Sequence, residues 1–344
     1  MKIISLEERI KAFVDLGKEI ENLLENRETN ELSEICFRAF NQNTWFTEES
    51  VLFAFKGIRH FLYENTLSDW LNNYHIDNKI PKVVGTVMAG NIPMVGAHDF
   101  ICILLSGHKI KAKLSTLDQY LIKFIASKLI AIDNRFEQYI EFADMLKNVD
   151  ALIATGSDNS ARYFDYYFRN IPRIIRKNRT SCAVLKGDES KADLIALSSD
   201  ITSYFGLGCR NVSKIFVPQN YSFSGLLSVL EIDGKKICQN HKYANNYDYN
   251  KSIYLVNGVP HLDNGYMIFK EDTSLFSPIS VIHFEYYSNI EALEQRLLEE
   301  NINIQCIVSA KGYFKNSIAF GTAQIPNIDD YADGVDTLAF LQDL

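Results

Sequence analysis

The chain has 344 residues, of which 47% are hydrophobic and 23% charged, a composition typical of a folded globular protein rather than a disordered one. Lys and Arg number 35 and Asp and Glu 43, giving a formal net charge of −8 that argues against nucleic acid as a partner. The longest apolar run, residues 100–105, is far shorter than the ~18 residues of a membrane span. The N-terminus lacks the apolar core of a signal peptide, so we expect a cytoplasmic protein of roughly two domains.

The cysteines are scattered along the chain without any C-x-x-C spacing. In a chain of this size, that pattern argues against both a disulfide framework and a zinc site, so we expect no metal centre. Most of these side chains should be small buried hydrophobic groups. They are Cys36, Cys102, Cys182, Cys209, Cys238 and Cys306.

Helical periodicity marks the first 75 residues, where Ser5 with Glu8 forms a capping box and Thr47 caps a later helix. After Pro81, short apolar runs alternate with helical stretches, which is typical of βαβ units and an α/β fold with a parallel sheet. The polar segment 231–250 is predicted to be helix ends and surface loop. The predicted strands are 82–88, 109–114, 151–154, 182–185, 214–217, 266–269, 279–284 and 303–308; the predicted helices between them are 94–105, 117–132, 159–168, 192–201 and 291–300.

One cysteine has unusual neighbours. The segment Tyr204-Phe205-Gly206-Leu207-Gly208-Cys209-Arg210-Asn211 places two glycines just before it. Glycine permits a positive φ and leaves space above the sulfur, and the adjacent Arg210 would favour the reactive thiolate. These residues alone fit either a nucleophile or a buried cysteine in a glycine-containing turn.

Two further turns follow predicted strands, at the sheet edge where α/β proteins bind ligands. Asn91 follows the first strand and fits either an amide donor to a developing oxyanion or a residue of a helix-capping turn. Lys113 ends the second strand and fits either a contact to a ribose or phosphate or a solvated lysine. Ser115 with Asp118 fits a capping pair for the next helix.

A third turn, Gly156-Ser157, joins a strand to a helix. The free N–H groups at a helix N-terminus suit a phosphate group. Neither a G-x-G-x-x-G sequence nor a P-loop occurs in the chain, so the two standard phosphate-binding fingerprints are absent.

The order of these segments resembles the aldehyde dehydrogenase superfamily and, more closely, the acyl-CoA reductase family that includes the fatty acid reductase subunit of bacterial bioluminescence. The resemblance runs from about residue 80 to the C-terminus. It is carried by Gly90-Asn91-Ile92-Pro93, His98-Asp99-Phe100, Leu105-Ser106-Gly107-His108-Lys109, Phe205-Gly206-Leu207-Gly208-Cys209-Arg210-Asn211-Val212-Ser213 and Asp330-Tyr331-Ala332-Asp333-Gly334-Val335-Asp336-Thr337.

The resemblance implies an aldehyde dehydrogenase-like fold, with two three-layer α/β domains of mostly parallel sheets and an N-terminal helical segment. The pattern of elements predicts a domain break near residue 185, between the first βαβ block and the segment around Cys209. We therefore expect residues 1–185 to hold the helices and a dinucleotide-binding domain, 186–325 a catalytic domain, and 326–344 a C-terminal tail. We expect Cys209 in the cleft between the domains, facing Asn91. Relatives are commonly dimers or tetramers, so we expect a homo-oligomer.

The resemblance also implies roles for individual residues. Cys209 matches the acyl-accepting nucleophile, and Asn91 matches the side-chain donor of the oxyanion hole. Lys113 matches the lysine that holds the adenosine ribose, and Ser115 in the same turn is counted as cofactor-binding. Gly156-Ser157 matches the turn that meets the pyrophosphate.

Two glutamates of aldehyde-oxidising relatives have no clear counterpart. The segment nearest to the Glu-Leu-Gly-Gly stretch, whose glutamate activates water, is Val184-Leu185-Lys186-Gly187-Asp188-Glu189, and Glu189 is not assigned as a base. Ser274 stands where a second glutamate holds the nicotinamide ribose. An enzyme that hydrolyses a thioester needs a base positioned to activate water. Transfer of the acyl group from an acyl-CoA needs no activated water, because CoA leaves as a thiolate. The predicted reaction is therefore reduction of an acyl-CoA or acyl-protein to the aldehyde; the alternatives are a hydrolytic aldehyde dehydrogenase and an inactive nucleotide-binding relative.

Thr116 decides the predicted cofactor. In the family, the residue three beyond the ribose lysine is often a glutamate that binds the adenosine 2′-hydroxyl, and here it is Thr116. A threonine is neutral and donates a hydrogen bond, so it would not repel a 2′-phosphate. Positive charge in the stretch Lys109–Lys113 adds attraction for phosphate, while Asp118 opposes it. We therefore predict NADPH.

Overall fold

The computed structural model describes residues 3–26, 31–76, 80–156 and 158–344, with Asp158 defined by its backbone alone. The chain folds as two compact units. The first unit consists of Met1–Asn178 with Asn327–Leu344, and the second consists of Arg179–Pro326.

Helices open the first unit. The α1 helix begins with the predicted capping box, since Ser5 Oγ accepts from Glu8 N at 3.2 Å and Ser5 N donates to the Glu8 carboxylate at 2.8 Å. Thr47 caps α3, its Oγ1 accepting from Ser50 N at 3.3 Å. The buried side of α1, which includes Phe13, packs against α3 and α6. The helices of this unit are α1 (Leu6–Glu25), α2 (Glu31–Gln42), α3 (Glu48–Phe61), α4 (Glu64–Leu71), α5 (Ala97–Leu105), α6 (Leu121–Ile132), α7 (Asp158–Tyr167) and α12 (Thr337–Gln342).

A five-stranded sheet, sheet A, forms the centre of the first unit in the order β3-β2-β1-β4-β5, with every pair parallel. The chain passes from β1 to β2 on one side and later returns to β4 on the other. Such a reversal of strand order is where open α/β sheets bind ligands, outside the carboxyl ends of the strands. The strands are β1 (Val83–Val87), β2 (Lys109–Lys113), β3 (Ile140–Phe142), β4 (Ala151–Thr155) and β5 (Arg173–Arg176).

Buried polar contacts join the C-terminal tail to the first unit. Arg176 donates to the Asp99 carboxylate at 2.6 Å and to the Thr337 hydroxyl at 2.8 Å. Nearby, Trp70 Nε1 donates to the Tyr331 hydroxyl at 2.8 Å. Arg176 therefore bridges two of the segments that carry the family resemblance, one containing Asp99 and one containing Thr337, and helps to hold the tail in place.

The described strands of the second unit form sheet B, in the order β12-β11-β6-β7-β10-β9-β8. Its pairs are parallel except β8 with β9. Its strands are β6 (Thr180–Val184), β7 (Val212–Pro218), β8 (Leu262–Asp263), β9 (Ile268–Glu271), β10 (Val281–Tyr287), β11 (Ile304–Ser309) and β12 (Ser317–Ala319), and its helices are α8 (Lys191–Thr202), α9 (Ser224–Ile237), α10 (His241–Val256) and α11 (Ile290–Glu299).

The division between the units precedes β6. This strand pairs with β7 and β11 and is buried along its whole length, so it belongs to sheet B. The boundary drawn from the sequence at residue 185 falls after β6 because no proline or glycine marks the turn between β5 and β6.

The polar segment 231–250 is largely helical, so its prediction as helix ends and loop is wrong. It forms the end of α9 and much of α10. The buried residues of α10 are Tyr243, Tyr247, Asn250 and Tyr254, which recur every three or four residues. Tyr247 donates to Asp263 at 2.7 Å and Asn250 to Ile279 O at 2.9 Å. The buried side is itself polar, so hydrophobic periodicity does not reveal the helix.

Two negative findings apply to the described part of the chain. None of its helices is long and apolar enough to cross a membrane. No group of three or more His, Cys, Asp or Glu side chains in these same ranges is arranged to hold a metal ion.

Candidate functional site

Three of the turns singled out in the sequence lie along one edge of sheet A. Asn91 is exposed in the turn after β1, Lys113 is the exposed last residue of β2, and Gly156 directly follows β4. Strands β2, β1 and β4 are neighbours and run parallel, so their carboxyl ends meet at this edge. Ser157, the predicted pyrophosphate contact, lies outside the described residues.

The turn that carries Asn91 packs directly on the turn that carries Ser115. A Cβ atom at Gly90 would lie 2.5 Å from Ser115 Oγ and 2.7 Å from Ser115 Cβ, so only glycine permits this approach. Ser115 Oγ also accepts from Leu117 N at 3.2 Å and so holds its own turn. The first role of Ser115 in the structure is therefore to pack and shape the two turns.

Asp118 joins the same two turns, and the predicted capping pair with Ser115 is wrong. The α6 helix begins at Leu121 and not at residue 117, and Asp118 Oδ2 accepts from Met94 N at 2.8 Å. Burial raises the pKa of Asp118 to about 6, although the N–H groups of Met94 and Leu121 act to lower it. Met94 has φ +58, and α5 consequently begins at Ala97 rather than at the predicted residue 94.

A glutamine that the sequence did not single out fixes the backbone around Thr116. Gln42, the last residue of α2, donates through Nε2 to Thr116 O at 2.6 Å and accepts through Oε1 from Gln119 N at 3.3 Å. The Thr116 side chain remains exposed beside exposed Lys113. Within the basic stretch, Lys111 pairs with Glu141 at 2.8 Å, so its charge is compensated locally.

Gly156 allows α7 to approach the end of β4. A Cβ atom at this position would lie 2.9 Å from Ser160 Cβ and 3.2 Å from a ring carbon of Phe164. Gly156 N donates to Arg176 O at 3.2 Å, which holds the glycine beside the end of β5. The short, close turn brings the N-terminus of α7 to the same sheet edge as Asn91 and Lys113.

In the second unit, Cys209 lies in a loop just before β7. All six cysteines fall within the described ranges, and Cys209 is the exposed one; the others are buried or half-buried. Tyr204, Phe205 and Gly206 have φ values of +50, +59 and +76, so three successive residues are in the left-handed region. Such a conformation is unfavourable for non-glycine residues and persists only where surrounding contacts enforce it.

Asn211 supplies several of those contacts. Its side chain is buried, with an exposed fraction of 2%. Oδ1 accepts from Gly208 N at 2.8 Å, while Nδ2 donates to Asp200 O at 3.0 Å and to Ser203 O at 2.8 Å. Asn211 thus joins the start of the loop to the residue before Cys209. The sequence analysis quoted Asn211 as a neighbour of Cys209 but assigned it no role.

Residues of strands β6 and β11 lie next to the loop that carries Cys209. Ser181 Oγ donates to Cys209 O at 2.9 Å and lies 3.1 Å from Cys306 Sγ. Burial raises the pKa of the Cys306 thiol, although Arg210 acts to lower it. Arg210 Nη1 donates to Ala323 O at 3.4 Å, so this guanidinium is anchored beside the loop.

A carboxylate also lies beneath the loop. Asp200 accepts from Gly321 N at 2.6 Å and from Ala323 N at 3.1 Å. Burial raises the pKa of Asp200 to about 6, although these two N–H groups lower it. Its carboxylate is therefore engaged with backbone donors of the second unit.

Glu189 is located at the opposite edge of sheet B from Cys209. Its carboxylate accepts from Lys186 N at 2.5 Å and from Gly187 N at 3.1 Å, just after β6 ends. Cys209 precedes β7, which runs parallel to β6. The length of a five-residue strand, roughly 16 Å, separates the two edges. Glu189 therefore cannot activate a water molecule at the Cys209 sulfur.

Ser274, which stands in place of a family glutamate, lies in the segment between β9 and β10. Its N–H donates to Asp272 Oδ1 at 2.9 Å, and its hydroxyl donates to Phe276 O at 3.1 Å. Ser213 Oγ donates to Leu275 O at 2.7 Å, which places this segment beside the start of β7, the strand that follows Cys209. The substitution leaves a hydroxyl, not a carboxylate, at this position.

No protein-family model and no curated protein sequence matches the chain. Its structure is similar to those of aldehyde dehydrogenases. With aldehyde dehydrogenase 21 from Physcomitrella patens, in complex with the reaction product succinate, the TM-score is 0.70 at 12% identity, covering 99% of this chain and 84% of that one. With the putative aldehyde dehydrogenase PutA from Anabaena variabilis, it is 0.67 at 14% identity, covering 98% and 86%. With the Mycobacterium tuberculosis aldehyde dehydrogenase complexed with NAD+, it is 0.62 at 13% identity, covering 88% and 73%.

These similarities confirm the predicted aldehyde dehydrogenase-like α/β fold. The first unit contributes the N-terminal helices and the parallel sheet A, and the second contributes the mostly parallel sheet B. At such low identity the likeness concerns the fold.

Proposed function

We propose that this protein reduces an acyl thioester, either an acyl-CoA or an acyl-protein, to the aldehyde with NADPH, through a thioester on Cys209. The observation that carries the proposal is the exposure of Cys209 in a loop held by Asn211 and Ser181. The other cysteines are buried or half-buried, which suits packing rather than nucleophilic attack.

In the first step of the proposed reaction, the Cys209 thiolate attacks the carbonyl carbon of the acyl donor. A new C–S bond forms, the bond to the donor's sulfur breaks, and the donor leaves as a thiolate that takes up a proton from solvent. The amide of Asn91 and the N–H of Cys209 are the proposed donors to the oxyanion that develops, since such donors act where negative charge appears. The proposal thus requires Asn91 and Cys209 to share one active site.

NADPH, when bound, supplies the hydride that converts the Cys209 thioester to the aldehyde and releases the Cys209 thiolate. The residues present suit such a group: Lys113 and Thr116 are exposed at the edge of sheet A, and Gly156 lets the N-terminus of α7 come close to the same edge. We assign Lys113 and Thr116 to the adenosine end and Gly156, with Ser157, to the pyrophosphate. Ser115 shapes this site by holding its turn.

Reduction is favoured over hydrolysis by the positions of two carboxylates of the second unit, Glu189 and Asp200. Glu189 is at the far edge of sheet B, and Asp200 is buried and bonded to two backbone N–H groups. Neither is available to activate a water molecule, and a positioned base is worth about 10²–10⁴ in rate. A hydrolytic aldehyde dehydrogenase is thus the weaker candidate. The other alternative, an inactive nucleotide-binding relative, would bind the cofactor at the edge of sheet A but would not be acylated at Cys209.

The preference for NADPH is supported by Thr116 and Asp118. The carboxylate that would oppose a 2′-phosphate belongs to Asp118, which is buried and bonded to Met94 N. Lys113 and Thr116 are both exposed, whereas Lys111 is paired with Glu141. Four of the similar aldehyde dehydrogenase structures are complexes with NAD+, so the proposed preference for NADPH rests on this chain's own residues. We also propose that the protein is a homo-oligomer, by the same family resemblance.

The test combines intact-protein mass spectrometry with an activity assay. The protein is incubated with a series of acyl-CoA thioesters, without cofactor to trap the acyl-enzyme and with NADPH or NADH to follow aldehyde formation. We expect one acyl group per chain, lost in Cys209→Ala and retained in the matched variant Cys238→Ala. Cofactor binding without acylation would favour the inactive relative, and aldehyde oxidation to the free acid would favour the hydrolytic enzyme.

A further inference from the structure

The first unit contains a buried guanidinium with incomplete hydrogen bonding. Arg9, on α1, has an exposed fraction of only 2%. Its Nη1 donates to Ile4 O at 2.9 Å, but among the described residues Nε and Nη2 have no hydrogen-bond partner. A guanidinium is always a donor and remains charged, so burying it without a counter-charge is strongly unfavourable.

A second buried arginine of the same unit, Arg176, is paired with a carboxylate. Arg176 has an exposed fraction of 5%, and its guanidinium donates to the Asp99 carboxylate at 2.6 Å. Burial acts to lower the pKa of Arg176, but Asp99 more than offsets this and the pKa is raised. Burial lowers the pKa of Arg9 to about 10, although Tyr139 acts to raise it. Among the described residues, no carboxylate is paired with Arg9 as Asp99 is with Arg176.

A small cavity borders Arg9. It measures about 10 Å³, close to the minimum volume that a single water molecule needs. Gly107 forms part of its wall with φ +86, and a Cβ there would lie 2.4 Å from Arg9 Nη1. Glycine at this corner thus makes room for the guanidinium beside the cavity. The lining residues are Arg9, His75, Ile76, Ser106, Gly107, His108, Leu341 and Gln342.

The other described groups in the wall add no negative charge. None of the described lining residues is an Asp or Glu. The His108 ring accepts from Lys82 N at 3.1 Å through Nδ1, so its proton is on Nε2, which donates to Leu341 O at 2.9 Å. The ring is therefore neutral, with both nitrogens occupied. Ser106 Oγ donates to Ile103 O at 2.8 Å.

We propose that this cavity binds a small monovalent anion of the halide class, held by Nε and Nη2 of Arg9. A water molecule would fill the same volume and accept the same hydrogen bonds, but it would leave the buried positive charge uncompensated. The site lies between α1, the corner after α5, and α12, so a bound anion would stabilise the docking of the tail helix. The inference is independent of the proposed enzymatic function.

The test is equilibrium unfolding of the full chain in sodium chloride or sodium bromide, compared with sodium gluconate at equal ionic strength. Gluconate is too large for the cavity and controls for general screening. A ligand bound only by the folded chain lowers the unfolding constant about tenfold for each tenfold rise in its concentration above Kd. We expect this dependence for chloride and bromide and not for gluconate. Equal responses to all three salts would overturn the proposal.

Two variants locate the effect. Arg9→Met should lose the halide-specific response, and so should Gly107→Ala, whose Cβ displaces the guanidinium. Arg38→Met is the matched control, because Arg38 is an exposed arginine of α2 paired with Glu34. Should Arg9→Met not fold, anomalous scattering from crystals of the unaltered protein grown in bromide decides the matter. A bromide peak at Arg9 is expected, and a water molecule in that position would overturn the proposal.

Discussion

The carboxylate of Asp118 accepts a hydrogen bond from Met94 N at 2.8 Å and thereby ties the turn after β2 to the turn that carries Asn91. The bond crosses between two strand ends that the family resemblance assigns to different tasks, cofactor binding and oxyanion stabilisation. Because Asp118 is buried, ionisation of its carboxyl lowers the stability of the fold, and the size of this effect depends on pH.

We first predict that Asp118→Asn stabilises the protein at neutral pH. The folded-state pKa of Asp118 is raised from 3.8 to about 6, so its ionisation opposes folding as pH rises from about 4 through about 6. The shift corresponds to about 3 kcal/mol at most. Asparagine retains an oxygen that can accept from Met94 N without bearing a charge.

The measurement is urea unfolding of both proteins between pH 4 and pH 8. The stability advantage of Asp118→Asn should be largest above pH 7 and should shrink towards zero near pH 4. Exposed Asp69→Asn is the control and should show no such trend. An advantage that stays constant across the whole range would contradict the assignment of the cost to ionised Asp118.

Asn211→Ala should impair acylation of Cys209. The substitution leaves Gly208 N and the carbonyls of Asp200 and Ser203 without their side-chain partner, at a stability cost of about 1–3 kcal/mol. Displacement of a reacting group by about 1 Å can cost roughly 10²-fold in rate, so we expect acylation to slow by about that factor. The measurement is the rate of acyl-enzyme formation by mass spectrometry at a temperature where the variant is fully folded.

Exposed Asn245→Ala on α10 serves as the control for Asn211→Ala and should acylate at the normal rate. Normal acylation in Asn211→Ala, despite its lower stability, would show that the amide supports folding alone and does not position the cysteine.

The sequence predicts the strands of both sheets best where a buried strand is uniformly apolar, as in β4. It fails at α10, whose buried side includes Tyr243 and Tyr247 with hydrogen-bonded hydroxyls, and at α6, where Asp118 bonds across to Met94 instead of pairing with Ser115. Cys209 and Asn91 can be singled out from local motifs, because glycines and strand ends mark them. Gln42 and Ser181 cannot, since each acts on a turn distant in sequence through one hydrogen bond.

Gly90→Ala should weaken cofactor binding by separating the two turns. The new Cβ would lie 2.5 Å from Ser115 Oγ and 2.7 Å from Ser115 Cβ, so one turn must move and the edge of sheet A is disturbed. We expect NADPH affinity, measured by calorimetry, to fall by about tenfold or more, as roughly 1.4 kcal/mol of misplaced contacts would produce. The double variant Gly90→Ala with Ser115→Gly removes both close atoms and should recover much of the affinity. If the double variant bound NADPH as weakly as Gly90→Ala alone, the loss of affinity would have a cause other than contact with Ser115.

Thr116→Glu should shift cofactor preference from NADPH towards NADH. Thr116 is exposed, and its backbone is fixed by Gln42 Nε2 at 2.6 Å, so the substitution adds a carboxylate without removing the hydrogen bond that shapes the turn. A carboxylate there would repel the 2′-phosphate of NADPH and accept a hydrogen bond from the 2′-hydroxyl of NADH. A charge-assisted contact of this kind is worth about 1.5–3 kcal/mol, which changes the ratio of the two cofactor affinities by roughly ten- to a hundredfold. Calorimetry with both cofactors measures that ratio. The matched control, Leu117→Glu, adds the same charge at the next exposed position and should lower NADPH affinity only slightly. Equal shifts in the two variants would assign the effect to net charge and not to a 2′-phosphate subsite at Thr116.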